Sequence, residues 1–350
     1  MDIYVLEKNT LNMVGIIDQY ISLIWTIRYC DVGDFELYLP MEIKYTSILK
    51  PNNILVRPGD SSAMIIKDIK IETDYENGDR LTVTGKSIES ILEQRIVWYQ
   101  TSLTGRVEDC LIELLETNLI SPIISQRKIN NLYATKKGIL TATTNFQTTG
   151  DTLLEVIKTQ CETAGYGFRI TFENNSFQFE LYEGTDRSYR QSINPYVIFS
   201  DDYENIIDTI YNYQSSTYRN TALVMGEGEG LNRTRTIIGT SYSGYDRHEI
   251  YVDAKDLSSN EGEISDENYE LLLTNRGQEK LLENRTSESF EASLETMKNY
   301  TYGVDYFLGD IVQIENEYGI KASARITEII ETENESGYSI IPTFSNWEVM

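Results

Sequence analysis

The stretch that most constrains this chain runs from Lys67 to Gly85, KDIKIETDYENGDRLTVTG. An apolar alternating run, an acidic turn ending in Gly and a second alternating run make the period-2 pattern of a half-buried hairpin. Its Asn77-Gly78 pair is the dipeptide favoured in two-residue hairpin turns. A thinner version returns near the other end of the chain, TEIIETENESGYSIIPT, from Thr327 to Thr343. Extended upstream, both segments read strand, loop, strand, acidic turn with Gly, strand. Ile66 and Ile69 match Ile326 and Ile329; after a one-residue shift, Glu72, Thr73 and Gly78 match Glu331, Thr332 and Gly337. Any two hairpins with polar turns share such a pattern, so the recurrence fits either a duplicated unit or two unrelated hairpins. A duplicated unit would place two related barrels in one chain, separated by an inserted domain.

With 350 residues the chain exceeds the size at which one hydrophobic core stops growing, which predicts two or three domains. Residues 1–97 read as a first β-barrel domain with a terminal helix. Phe35, Leu37 and Leu39 alternate with Glu36 and Tyr38, DVGD is a hairpin turn, and Ser87 is a candidate N-cap for a helix carrying Ile88, Ile91 and Leu92. Residues 98–199 read as an inserted domain of mixed helix and strand. One helix there has Val107, Leu111, Leu114 and Leu115 on one stripe, and another runs from Leu153 to a stop at Gly165. A hairpin with an Asn-Asn turn follows. Residues 200–350 read as a second β-barrel domain holding a long helix near residues 265–285, capped by Ser265 or Asp266. The fold class expected is mainly β (α+β).

Composition excludes more than it assigns. The formal net charge is -25, which opposes specific nucleic-acid binding, since gripping phosphates needs Lys and Arg to replace counterions. It equally opposes adhesion to an anionic membrane. The N-terminus lacks the basic start and apolar run of a signal peptide, and no apolar run reaches the length of a membrane span, so no membrane anchor is expected. Three widely spaced cysteines, Cys30, Cys110 and Cys161, without a CxxC, read as reduced, mostly buried thiols. The 25 tyrosines suit half-buried strand positions and subunit interfaces.

Motifs that could carry chemistry each have a blander reading. His248, the single histidine, alternates with Ile250 and Val252 as a strand residue would. The Gly-x-Gly-x-Gly of MGEGEGLNRTR, from Met225 to Arg235, precedes a strand-like run rather than a helix, and Glu227 and Glu229 would repel phosphate, so a bulged β-turn is expected. The acidic loop DAKDLSSNEGEISDE lacks the spacing of a calcium loop. Asp201, Asp202 and Glu204 are the kind of carboxylate cluster that so acidic a chain contains by chance. No catalytic, cofactor-binding or metal-ligating residue is nominated, no cofactor is expected, and an enzyme is not the first choice.

Five blocks carry a family resemblance: Gly15 to Pro40, Leu81 to Val97, Met225 to Arg235, Gly244 to Ser258, and Tyr306 to Asn316 with ITEIIE after it. In their order and span they resemble the phage tail hub, or baseplate hub, family of long-tailed phages, prophages and phage-tail-like particles. The resemblance implies two β-barrel domains flanking inserted mixed domains, and a homotrimer whose six barrels form a pseudo-sixfold ring. It implies a virion structural protein at the tail tip, made in the bacterial host cytoplasm. Implied partners are the distal tail or tail-tube proteins, the tape-measure protein and downstream tip or fibre proteins, with DNA passing through an acidic lumen. Hubs of this family often continue into a hydrolase or receptor-binding part; this sequence stops at SNWEVM, so such activity would be expected in a separate protein. The alternatives are a tail-associated cell-wall hydrolase using an acidic pair, and a receptor- or carbohydrate-binding tail module.

Overall fold

A computed structural model describes residues 1–349 except residues 74, 76, 77, 295–298 and 316–320. Asn77 of the Asn-Gly turn therefore lies outside the described residues. Thirteen strands join in one sheet. Seven come from the N-terminal part, in the order Ser22–Arg28, Asp34–Pro40, Arg80–Ser87, Ala63–Glu72, Ile54–Val56, Ile3–Leu6, Met13–Ile17, with every neighbouring pair antiparallel. Phe35, Leu37 and Leu39 do face one way, into a core with Trp25, Met64 and Val83. Ile3, Val5 and Ile17, from the far end of the strand path, enter the same core. Strands at both ends thus share one interior, so the sheet curls into a barrel-like unit. Each large side chain fully buried there contributes about 1.5–3 kcal/mol.

The C-terminal part repeats this order: Ile206–Gln214, Ser287–Leu294, Gly337–Val349, Lys321–Asn334, Ile311–Glu315, Ile198–Ser200. Val312, Ile314, Ala324, Ile326, Ile329 and Phe344 form its core. Both units carry a β-bulge at the same place. In the first, the register slips between Ile66 and Asp68; in the second, between Ile326 and Glu328. An extra residue re-aims a strand and increases its twist, so a shared bulge bends both hairpins alike. The match of Ile66 and Ile69 to Ile326 and Ile329 therefore stands. The one-residue shift at Glu72 does not: counted from the bulge, Ile71 matches Glu331 and Glu72 matches Thr332. Register also reveals an echo the sequence hid. Phe35 lies opposite Gly85 and Phe290 opposite Phe344, so Phe35-Glu36 corresponds to Phe290-Glu291. One step further out, Trp25 lies opposite Phe35 and Tyr211 opposite Phe290, so Ile24-Trp25 corresponds to Ile210-Tyr211.

The units also differ. The first has one strand more, Met13–Ile17, and the second has a further bulge between Ser323 and Arg325. Ile198–Ser200 runs parallel to its neighbour, whereas Ile3–Leu6 runs antiparallel to the corresponding strand. And the first hairpin of the first unit closes through residues 29–33, whereas residues 215–286 intervene in the second. That intervening segment builds its own three-stranded sheet, with Thr221–Met225 between Arg235–Ile238 and Glu249–Asp253. The helix Asp266–Glu283 packs on it through Tyr269, Leu272 and Leu273, starting where the Ser265 hydroxyl accepts from the Asn268 amide at 3.4 Å. So the long helix covers this small sheet and adds no residue to the barrel core. Gly277 permits the contact: a Cβ there would meet Ile238 at 2.4 Å and Val224 at 2.6 Å.

Between the units lie two further small sheets and two helices. The helix Val107–Leu115 buries the expected stripe and runs on into a wider turn over Glu116–Ile120. Leu153–Ala164 starts on a capping box, Thr152 with Glu155, and stops at Gly165 in the left-handed conformation, φ 74°. Gly167–Glu173 and Ser176–Tyr182 form the expected hairpin, with Asn174 and Asn175 both at positive φ as the favoured turn demands. The polar stretch after residue 125 carries two short strands, Leu132–Ala134 and Thr143–Thr148. One expectation fails at the border. Ile88–Gln94 is a 3-10 segment, and the Ser87 hydroxyl makes no cap; it accepts instead from the Gly33 amide at 2.8 Å. Ile54, Val56, Ala63 and Ile65, turned away from the barrel core, join the middle core with Leu92, Leu111 and Phe168. Along these stretches of the two strands the first barrel's wall is thus buried on both faces.

Candidate functional site

The strand Lys321–Asn334 is where the two units meet. Its first half pairs with Ile311–Glu315 inside its own unit, and its second half, Glu328 to Asn334, pairs antiparallel with Ser22–Arg28 of the first. Ile27 touches both barrel cores from this seam. Three acidic residues of the strand are each held by a cation of the first unit. The Arg28 guanidinium donates to Glu328 at 2.6 Å and pairs with Asp34 at 2.7 Å. Arg57, its side chain 4% exposed, donates to both Glu331 oxygens at 3.0 and 2.9 Å and to Asp60. The Met1 ammonium reaches Glu333 at 3.0 Å. A cation buried this deeply is tolerated only with such partners.

Arg57 is further fixed from below. Its guanidinium lies 4.5 Å from the Trp25 ring centre, an attractive cation–π geometry. Trp25 donates to the Ser62 hydroxyl at 2.9 Å, which donates to Asp60 at 2.7 Å. Tyr338 donates to Glu331 at 2.7 Å; burial first, then this carboxylate, push its phenol well above its ordinary value. For Glu333, burial pushes upward, but the Tyr20 hydroxyl at 2.6 Å and the amino terminus outweigh it, and the carboxyl sits below its usual range.

A second junction joins three parts of the molecule at Tyr29. Its hydroxyl donates to the Gly165 carbonyl at 3.0 Å, its ring meets Tyr182 edge-on at 5.1 Å, and Arg325 lies 4.9 Å over its face. Burial pushes its phenol up to about 12. Gly167 and Gly309 flank the ring so closely that a Cβ on either would lie 2.4 Å from it. Next to these junctions opens a cleft of about 530 Å³, walled by Arg57, Asp60, Glu89, Arg169, Tyr302 and Glu331. Glu89 there is held by the Ile170 amide at 2.7 Å, and burial raises its carboxyl. Asp60 and Glu331 are bridged by Arg57.

The motifs singled out in the sequence lie elsewhere. His248 is exposed just before Glu249–Asp253, beside Tyr218 at 5.4 Å, with its backbone serving Asn220 and Thr221. The Gly-x-Gly-x-Gly loop links two antiparallel strands; the Arg233 side chain clamps it by donating to the Gly226 and Met225 carbonyls. In the acidic loop Asp256 is paired with Arg276 at 2.8 Å. Asp201 and Asp202 sit on an exposed turn. Among the described residues no cluster of three or more His, Cys, Asp or Glu is arranged to hold a metal ion. No described helix is long and apolar enough to cross a membrane. Neither junction was foreseen: Arg57 and Glu331 are far apart in sequence, and only the unusual Arg in the apolar run NILVRP hinted at a buried partner.

Compared with known proteins, the sequence model of the Siphovirus ReqiPepy6 Gp37-like protein family matches residues 2–345. The chain belongs to that family. No curated protein sequence matches it. Three solved structures share its fold over nearly the whole length of both chains, each at 12% identity. The tail protein from Neisseria meningitidis MC58 has a TM-score of 0.60 and covers 98% of this chain and 96% of its own. The prophage MuSo2 43 kDa tail protein from Shewanella oneidensis has 0.57, with 98% of each chain covered. The prophage tail protein gp18 from Listeria monocytogenes EGD-e has 0.56, with 99% and 94% covered. The family member is thus a β-rich α+β chain with the fold of phage and prophage tail proteins.

Proposed function

We propose that this chain is the structural hub of a phage or prophage tail tip, three copies closing into a ring of six barrels. The duplicated strand order with its shared bulge carries the reading. A chain bearing the same unit twice can present pseudo-sixfold symmetry from a trimer, and so mate with a sixfold tail tube or distal tail ring. In this reading the chain is divided as the strands suggest, into two barrels, a middle unit and the small sheet with its helix. Its partners are distal tail, tail-tube, tape-measure and tip proteins, and its place is the virion tail. The role in this reading is structural rather than catalytic, as the tail-protein family and the shared fold suggest. Excess acidic charge along the lumen would let DNA slide past without binding; a structure of the ring with a neutral or basic lumen would remove that part. Light scattering on the purified chain tests the assembly. A mass near three times 40.2 kDa is expected, and a dimer or tetramer would overturn the ring.

A further inference from the structure

The seam inside the chain specifies a second contact. In the second unit, the half-strand after the bulge, Glu328 to Asn334, has Gly337–Val349 on one side and the first unit's Ser22–Arg28 on the other. In the first unit, the corresponding half-strand, Asp68 to Glu72, has Arg80–Ser87 on one side and, among the described residues, no strand on the other. The strand corresponding to Ser22–Arg28 is Ile206–Gln214, which ends the sheet; among the described residues its one strand neighbour is Ser287–Leu294. Two edges are left over, and each is the counterpart of one partner in the seam already made.

We infer that Asp68 to Glu72 of one copy pairs antiparallel with Ile210 to Gln214 of the next, repeating the intrachain seam between chains. This rests on the trimeric ring reading above. The register is dictated by the bulge: Glu328 opposite Arg28 becomes Asp68 opposite Gln214, Ile329 opposite Ile27 becomes Ile69 opposite Tyr213, and Ile330 opposite Thr26 becomes Lys70 opposite Asn212. Exposure agrees. Ile71, Ile210 and Tyr213 are 50%, 61% and 52% exposed, whereas Ile329, which Ile69 matches, is fully buried. Charge selects the partner. Asp68, Lys70 and Glu72 guard their edge; an antiparallel pairing of this edge with its own copy would set Asp68 against Glu72, like against like. The edge offered by Ile210, Asn212, Tyr213 and Gln214 is neutral and opposes none of them. The contact is head-to-tail, so it closes only as a ring or runs on as a filament.

Paired cysteines test it. A Lys70→Cys/Asn212→Cys double variant places the two thiols opposite each other across the proposed contact, within disulfide reach. Lys70→Cys/Tyr213→Cys displaces one thiol by a residue and so to the other face. Under mild oxidation the first should lose its one-chain band to a covalent ladder ending at three chains, and the displaced pair and each single variant should not. The mass of the reduced variants by light scattering is the second readout. A trimer whose designed pair stays uncrosslinked, or crosslinks no better than the displaced pair, overturns the edge contact and leaves the ring reading intact. A chain monomeric at every concentration and uncrosslinked overturns both.

Discussion

The two barrel units share strand order, bulge and core positions, yet they treat their loops in opposite ways. The first closes its leading hairpin through residues 29–33, with Tyr29 wedged between neighbours. The second opens the same hairpin to admit a sheet and a helix. The difference teaches where the fold is specified. A sheet register shifted by one residue turns every side chain to the wrong face, so the register and the core positions must agree in both copies. A loop between strands bears no such constraint, and lengthening it costs little.

Substitutions can break the comparison, and the largest effects are expected where each unit has a feature the other lacks. Tyr29→Ala removes the wedge of the first unit and leaves Gly165, Tyr182 and Arg325 facing a cavity; a loss of about 3–5 kcal/mol is expected in urea unfolding. Arg57→Ala strips the buried cation from Glu331 and Asp60. It should cost about 3–5 kcal/mol, whereas Lys86→Ala, which breaks only the exposed pair with Glu93, should stay within about 1 kcal/mol. Should the two prove alike, the seam is not an ionic lock.

A finer contrast lies opposite the bulge, where one unit has Gly85 and the other Phe344. A Cβ on Gly85 would lie 2.0 Å from the Ile65 carbonyl oxygen and 2.7 Å from the Phe35 ring. Gly85→Ala should therefore cost about 1–3 kcal/mol by overpacking, although the corresponding site in the second unit holds a buried aromatic. A neutral outcome would mean the two units do not pack their bulges differently. The smallest effect concerns pH. The folded Glu333 carboxyl sits below its ordinary value of 4.5. Its contribution is thus present above that value and lost as pH falls through the lower folded one. Glu333→Gln should lower stability slightly at neutral pH, leave the acid end nearly unchanged and so flatten the limb between them; an unaltered limb would contradict the assignment.

Much of this architecture could be read from residues alone because it is local. Alternation at Phe35, Leu37 and Leu39 gave a strand, Gly165 a helix stop, and Asn174-Asn175 a turn. What could not be read is set across long sequence separations. Glu331 looks like any solvent-facing acid of a polar hairpin until Ser22–Arg28 brings Arg57 over it. Phe290 and Phe35 correspond only through their partners in register, and the long helix joins the small sheet because Gly277 fits Ile238, which no periodicity announces. Ser87 was misread for the same reason: its hydroxyl serves Gly33, a partner distant in sequence.

The most direct test of the account is the rotational symmetry of the assembled particle in electron micrographs viewed end-on. Six evenly spaced lobes in the class averages are expected, with threefold modulation from the inserted small sheet. Three lobes without sixfold spacing, or barrels that do not lie on one circle, would contradict the claim that the two units are equivalent members of one ring.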